Sequence, residues 1–114
     1  MTPVILTPEA RADITAILLH SRRAFGSETG RRYRMLIEQA LSDLSTDPEH
    51  PLAAGRDGLP PDIRLYHLRH SRLRIPRENR ISQPRHFIVF RRETAGVAVL
   101  RLLHDSMDIA HRLG

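Results

Sequence analysis

The feature that most constrains this chain is a change of hydrophobic period across a single loop. Tyr33, Leu36, Ile37, Ala40, Leu41 and Leu44 stand at i, i+3, i+4, i+7, i+8 and i+11, a spacing that places them on one stripe of an α-helix. Residues 47–62 then hold four Pro and two Gly, too many breakers for either regular element. Beyond them Ile63, Leu65 and His67 alternate with Arg64, Tyr66 and Leu68, the period of a half-buried strand. Helices come first, strands follow, and each needs the other to cover an apolar surface. The expected class is α+β.

The remaining elements fit the same plan. Val4-Ile5-Leu6 reads as a first strand. Thr7 suits a helix cap, Pro8 the first helical position and Glu9 the positive helix end. Ala10, Ile14, Ile17, Leu18 and Phe25 fall on one stripe of that helix, with Gly26 as a stop. Ser27-Glu28-Thr29-Gly30 is expected to be a tight connection, making the first two helices an αα-hairpin. Phe87-Ile88-Val89-Phe90 reads as a central strand, Glu93-Thr94-Ala95-Gly96 as a turn and Val97 to Leu103 as a last strand. A short helix is expected over 106–113, capped by Asp105 or Ser106. The order is β-α-α-β-β-β with a mostly antiparallel, curved sheet. One open sheet face would await a partner helix or strand.

Composition narrows the function classes. At 114 residues the chain is expected to be one domain with one modest core. Aromatics are 4% of residues, so aliphatic side chains must fill that core. There is no Cys, which excludes disulfide, thiolate and Cys-zinc chemistry. His67 with His70, or His104 with His111, match no metal-site spacing, and no metal or cofactor is expected. Residues 1–9 lack a basic leader region and no apolar run approaches a membrane span, so neither export nor a membrane is expected.

All 18 basic side chains are Arg. Guanidinium groups stay charged and grip carboxylates or phosphates in a bidentate fork. Residues 1–63 carry seven Arg against nine acids, and residues 64–114 carry eleven against four. Five of the seven His lie in that second part. An acidic partner or a nucleic acid is expected there.

Two local words are more specific than the element order. Phe87-Ile88-Val89-Phe90-Arg91 is a strand ending in an aromatic followed by Arg. Val99-Leu100-Arg101-Leu102-Leu103-His104-Asp105-Ser106-Met107-Asp108 places an Arg among aliphatics, then Leu-His, then Met-Asp. Together they resemble the ParE/RelE toxin superfamily over all but residues 69–85. The resemblance implies a type II toxin in the bacterial cytoplasm with a cognate antitoxin, whose acidic, amphipathic C-terminal segment covers it. In the ParE branch it implies DNA gyrase as the target. In the RelE branch it implies an mRNA endoribonuclease acting on the ribosome, for which Arg91, Arg101 and His104 are the candidate catalytic set. Active relatives of that branch often carry a Tyr near the C-terminus, and many carry a basic residue where this chain has Ser106. Here no Tyr follows Tyr66, which favours the ParE branch and a non-enzymatic toxin. A basic nucleic-acid-binding module and an inactive relative remain alternatives.

The resemblance also frames residues 69–85, which hold six Arg and one acid. A typical member crosses here by a short turn, so about a dozen residues are inserted. The segment is expected to be either a basic arm for DNA, antitoxin or target, or an extended solvated hairpin. The candidate partner- or target-binding residues are Arg64, Arg69, Arg72, Arg74, Arg91, Arg101, His104, Met107 and Asp108. A cross-strand pair with Glu93 or Asp105 is the structural alternative for Arg91 and Arg101. For His104 it is a hydrogen bond near Asp105 or Asp108.

Overall fold

Thr7 fixes where the first strand ends and the first helix begins. In a computed structural model that describes residues 1–113, its hydroxyl oxygen accepts the Ala10 N–H (3.2 Å) and its proton faces the Val99 and Leu100 carbonyls (3.0 Å each). One side chain thus caps α1 (Pro8–Phe25) and ties it to the last strand. Strand β1 (Val4–Leu6) runs into that cap. Helix α2 (Ser27–Thr46) begins only one residue after α1 ends. Gly26, at φ +98°, makes the turn alone and donates its N–H to the Arg22 carbonyl. The expected connection at 27–30 is therefore helical, because a single left-handed residue suffices. The α1 stripe also stops short of Phe25. Ala10 is buried and Ile14, Ile17 and Leu18 pack against the core, while Phe25, the last helical residue, is 69% exposed.

Strands β2 (Ile63–His67), β3 (His86–Glu93) and β4 (Gly96–His104) follow. The sheet order is β1-β4-β3-β2, with β1 parallel to β4 and the other pairs antiparallel. Pairing shifts between Val89 and Phe90: Val89 faces Arg101 but Phe90 faces Val99, so Leu100 is one extra residue on β4.

Two layers of core result. Tyr33, Leu36, Ile37, Ala40 and Leu44 of α2 pack with Tyr66, Ile88, Phe90, Val99 and Leu102 on one sheet face. Ile63, Leu65, Val89 and Leu103 form a second cluster closed by Ile109 of α3 (Ile109–Leu113). Hence β2 is not half-buried: Tyr66 and His67, on opposite faces, are both buried. The expected open face is covered in part by the chain itself. Helix α3 is shorter than expected, and Asp108 rather than Asp105 or Ser106 caps it, accepting the His111 N–H at 3.3 Å.

The Arg-rich insertion is neither a free arm nor an extended hairpin. It forms two 3-10 turns, Leu68–Arg74 and Arg77–Asn79. Leu68, Ser71 and Ile75 are buried. Ser71 donates to Asp43 of α2 (2.6 Å) and receives the Tyr66 hydroxyl (2.8 Å). Arg72 donates to the Ile81 carbonyl (2.6 Å), and Arg80 to those of Ile75 (2.8 Å) and Leu73 (3.2 Å). Three of its six guanidinium groups hold the segment to itself or to α2: Arg72 and Arg80 on its own carbonyls and Arg74 on Asp43. Among the described residues, no helix is long and apolar enough to cross a membrane.

Candidate functional site

The paired ends of β3 and β4 bring His86 opposite His104. Their rings meet edge to face, with centres 5.3 Å apart. The Tyr33 hydroxyl, from α2, lies 2.6 Å from His86 Nδ1 and accepts the Arg85 N–H (3.1 Å). Burial pushes the Tyr33 phenol up to about 12 and the His86 imidazolium down to about 4, with His104 adding to the latter. Near neutral pH Tyr33 keeps its proton and His86 is neutral.

A second cluster fixes the adjoining chain. The guanidinium of Arg85 grips Asp105, with Nε and Nη2 at 3.0 and 2.9 Å from Oδ1. The Asp105 N–H donates to the Arg85 carbonyl (2.8 Å). His67 accepts the Arg69 N–H at Nδ1 (3.1 Å), so its Nε2–H donates to Asp105 (3.0 Å). Arg85 first and His67 second hold the Asp105 carboxyl down at about 2. Beside these clusters opens a groove of about 680 Å³, walled by Ile17, Phe25, Ile81 and Met107 and edged by His20, His86 and His104.

Of the residues singled out from sequence, only His104 and Met107 line this groove. Arg101 is instead clamped to Asp13 of α1, with Nε–Oδ2 at 2.7 Å and Nη2–Oδ1 at 3.0 Å. The same carboxylate accepts the Leu102 N–H (2.9 Å). Arg101 thus lies within β4, not at its end, and its partner is neither Glu93 nor Asp105. Arg91 pairs with Glu93 on its own strand (3.0 Å). Along β3 it lies five residues from His86, a span of roughly 17 Å. Arg91, Arg101 and His104 are therefore not gathered around one phosphate-sized space. His104 Nδ1 is met by Ser106, with Oγ at 2.7 Å and the N–H at 3.1 Å, while the Asp105 carboxylate lies 3.6 Å away and Asp108 makes no bond to it. Arg64 donates to the Pro61 carbonyl (2.9 Å), Arg74 pairs with Asp43 (2.9 Å) and Asp108 caps α3. Arg72 serves the Ile81 carbonyl, and Arg69 is exposed with no side-chain partner among the described residues.

The sequence reading did not single out Tyr33, Arg85 or His86 as site residues, and it named Asp105 only as a cap or a pairing partner. Tyr33 sits on an apolar stripe and reads as core, yet a buried phenol still requires a hydrogen-bond partner. That requirement is the one signal pointing past the core.

A helical hairpin on a mixed sheet, with a lined groove at one end of it, defines a small α+β protein. A solved chromosomal ParDE TA system from P. aeruginosa has this fold, with a TM-score of 0.64 and 21% identity over 91% of this chain and 96% of that one. Toxin ParE of Escherichia coli is 31% identical over 115 residues, covering 99% of this chain and 94% of the relative. The family described as the ParE toxin of the type II toxin-antitoxin system, parDE, matches residues 4–109. The chain belongs to the ParE toxin family.

Proposed function

We propose that this chain is a single-domain, cytoplasmic toxin that works by binding a protein, DNA gyrase, and is neutralised by a cognate antitoxin through that partner's acidic, amphipathic C-terminal segment. Family membership supports the toxin-antitoxin part. The observation that carries the non-enzymatic part is the fate of the nuclease candidates. A nuclease needs acid/base and cationic groups converging on one phosphate. Here Arg101 is committed to Asp13 and Arg91 to Glu93, with Arg91 far along the ladder from His104. Arg69 and Met107, both exposed, are the best placed of the partner-binding candidates.

The test is a supercoiling assay with purified chain, with and without antitoxin. Inhibition of gyrase, relieved by stoichiometric antitoxin, is the expected result. Unimpaired supercoiling at saturating chain, together with cleavage of ribosome-bound mRNA, would overturn the proposal.

A further inference from the structure

The groove beside the β3–β4 ends presents two imidazole N–H donors that meet no acceptor. The tautomers follow from the hydrogen bonds. The Ser106 N–H donates to His104 Nδ1 (3.1 Å), so the neutral ring carries its proton on Nε2. At His86, the Arg85 N–H already occupies the Tyr33 oxygen, and the Tyr33 O–H donates to Nδ1. His86 therefore also holds its proton on Nε2. Neither Nε2–H has a partner among the described residues. No buried side-chain nitrogen or oxygen among those residues is without one, so both Nε2 atoms are open rather than sealed in.

The surroundings define what fits. Phe25 and Met107, 69% and 37% exposed, stand on the same groove. No carboxylate lines it, while Arg85 and three His do, and nearby Asp105 is engaged by Arg85 and His67. An apolar wall beside unsatisfied donors, with no carboxylate on the lining, is complementary to an apolar side chain next to a carboxylate.

We propose that this groove seats an acidic-apolar stretch of the antitoxin. A large aliphatic or aromatic side chain lies between Phe25 and Met107, and a neighbouring Asp or Glu accepts from Nε2–H of His86 and His104. The inference rests on the reading that an antitoxin neutralises this chain, and adds where and by what chemistry it docks.

The test titrates the toxin with full-length cognate antitoxin and with overlapping synthetic peptides that tile it. One peptide, containing an acid beside a large apolar residue, is expected to bind. Phe25→Glu combined with Met107→Glu should weaken full-length antitoxin at least tenfold, with the fold checked by circular dichroism. His104→Ala should weaken the peptide several-fold. Changing the peptide acid to its amide should then cost less in that background, where only His86 still donates to it, than it costs against the parent toxin. Unchanged antitoxin affinity in the Phe25→Glu, Met107→Glu variant overturns the groove assignment and leaves the toxin-antitoxin reading standing. So does loss of self-association in that variant with antitoxin affinity intact, which would make a second copy the occupant. If full-length antitoxin fails to bind the parent toxin, the proposed function falls with it.

Discussion

Arg101 shows how a residue of functional appearance becomes structural. Asp13 satisfies two guanidinium donors and the Leu102 N–H at once. The carboxylate is 16% and the guanidinium 28% exposed, so the pair is partly withdrawn from water. Asp13→Ala strands both a charge and a backbone donor, and should lower stability by about 2–3 kcal/mol in urea unfolding. Arg101→Ala should reduce toxicity only as far as it reduces the folded fraction. A second residue-scale effect concerns acid. His86 titrates near 4 when folded against about 6.5 unfolded. Between those values the unfolded chain binds the proton that the buried ring refuses, so stability falls as pH drops through this window and is unaffected above it. The loss should be on the order of 2–3 kcal/mol and should flatten in His86→Gln. Asp105 acts lower: its stabilisation is complete above about 3.8 and is lost as pH falls toward about 2.

At the scale of elements, local signals carried furthest where one residue type decides the backbone. Thr7, Pro8 and Glu9 placed the start of α1, and the apolar period placed α2. Registers were less legible. Counting back from the Glu93–Gly96 turn pairs His86 with Leu103, and only the extra Leu100 on β4 moves His104 opposite it. No periodicity announces a bulge, so the groove's histidine pair was invisible. The insertion departs from expectation for a related reason: its Arg content points to solvent, while Leu68 just before it and its own Ser71 and Ile75 bury it. Asp43 is the post it hangs from, accepting from Gln39, Ser71 and Arg74. Asp43→Ala should cost about 2–3 kcal/mol and expose residues 69–85 to limited proteolysis. Gly96 is equally exacting. At φ +155° it leaves room for the Pro3 carbonyl, which an added Cβ would approach to 2.2 Å. Gly96→Ala should therefore loosen β1 from β4 and lower the melting temperature by several degrees.

For the molecule as a whole, the lopsided charge described from sequence survives folding only in part. Arg74, Arg85, Arg91, Arg92 and Arg101 each pair with a carboxylate. Pairing leaves the net charge of +5 unchanged, and a charge of that sign would steer the acidic antitoxin proposed above. Its association rate should fall severalfold as salt is raised from low to physiological strength, while its dissociation rate changes little. Stopped-flow mixing distinguishes the two.

The parallel pairing of β1 with β4 joins Val4 to Val97 and Leu6 to Val99. The ribosome makes β1 about ninety residues before β4, so over that stretch of synthesis the first strand lacks the neighbour it pairs with in the sheet. Asp13 likewise waits for Arg101, and Thr7 for Val99. Closing a loop of this length is an entropic cost met only once β4 exists. The sheet therefore cannot be completed before β4 has been made, and the groove edged by His104 and Met107 takes shape only at that step.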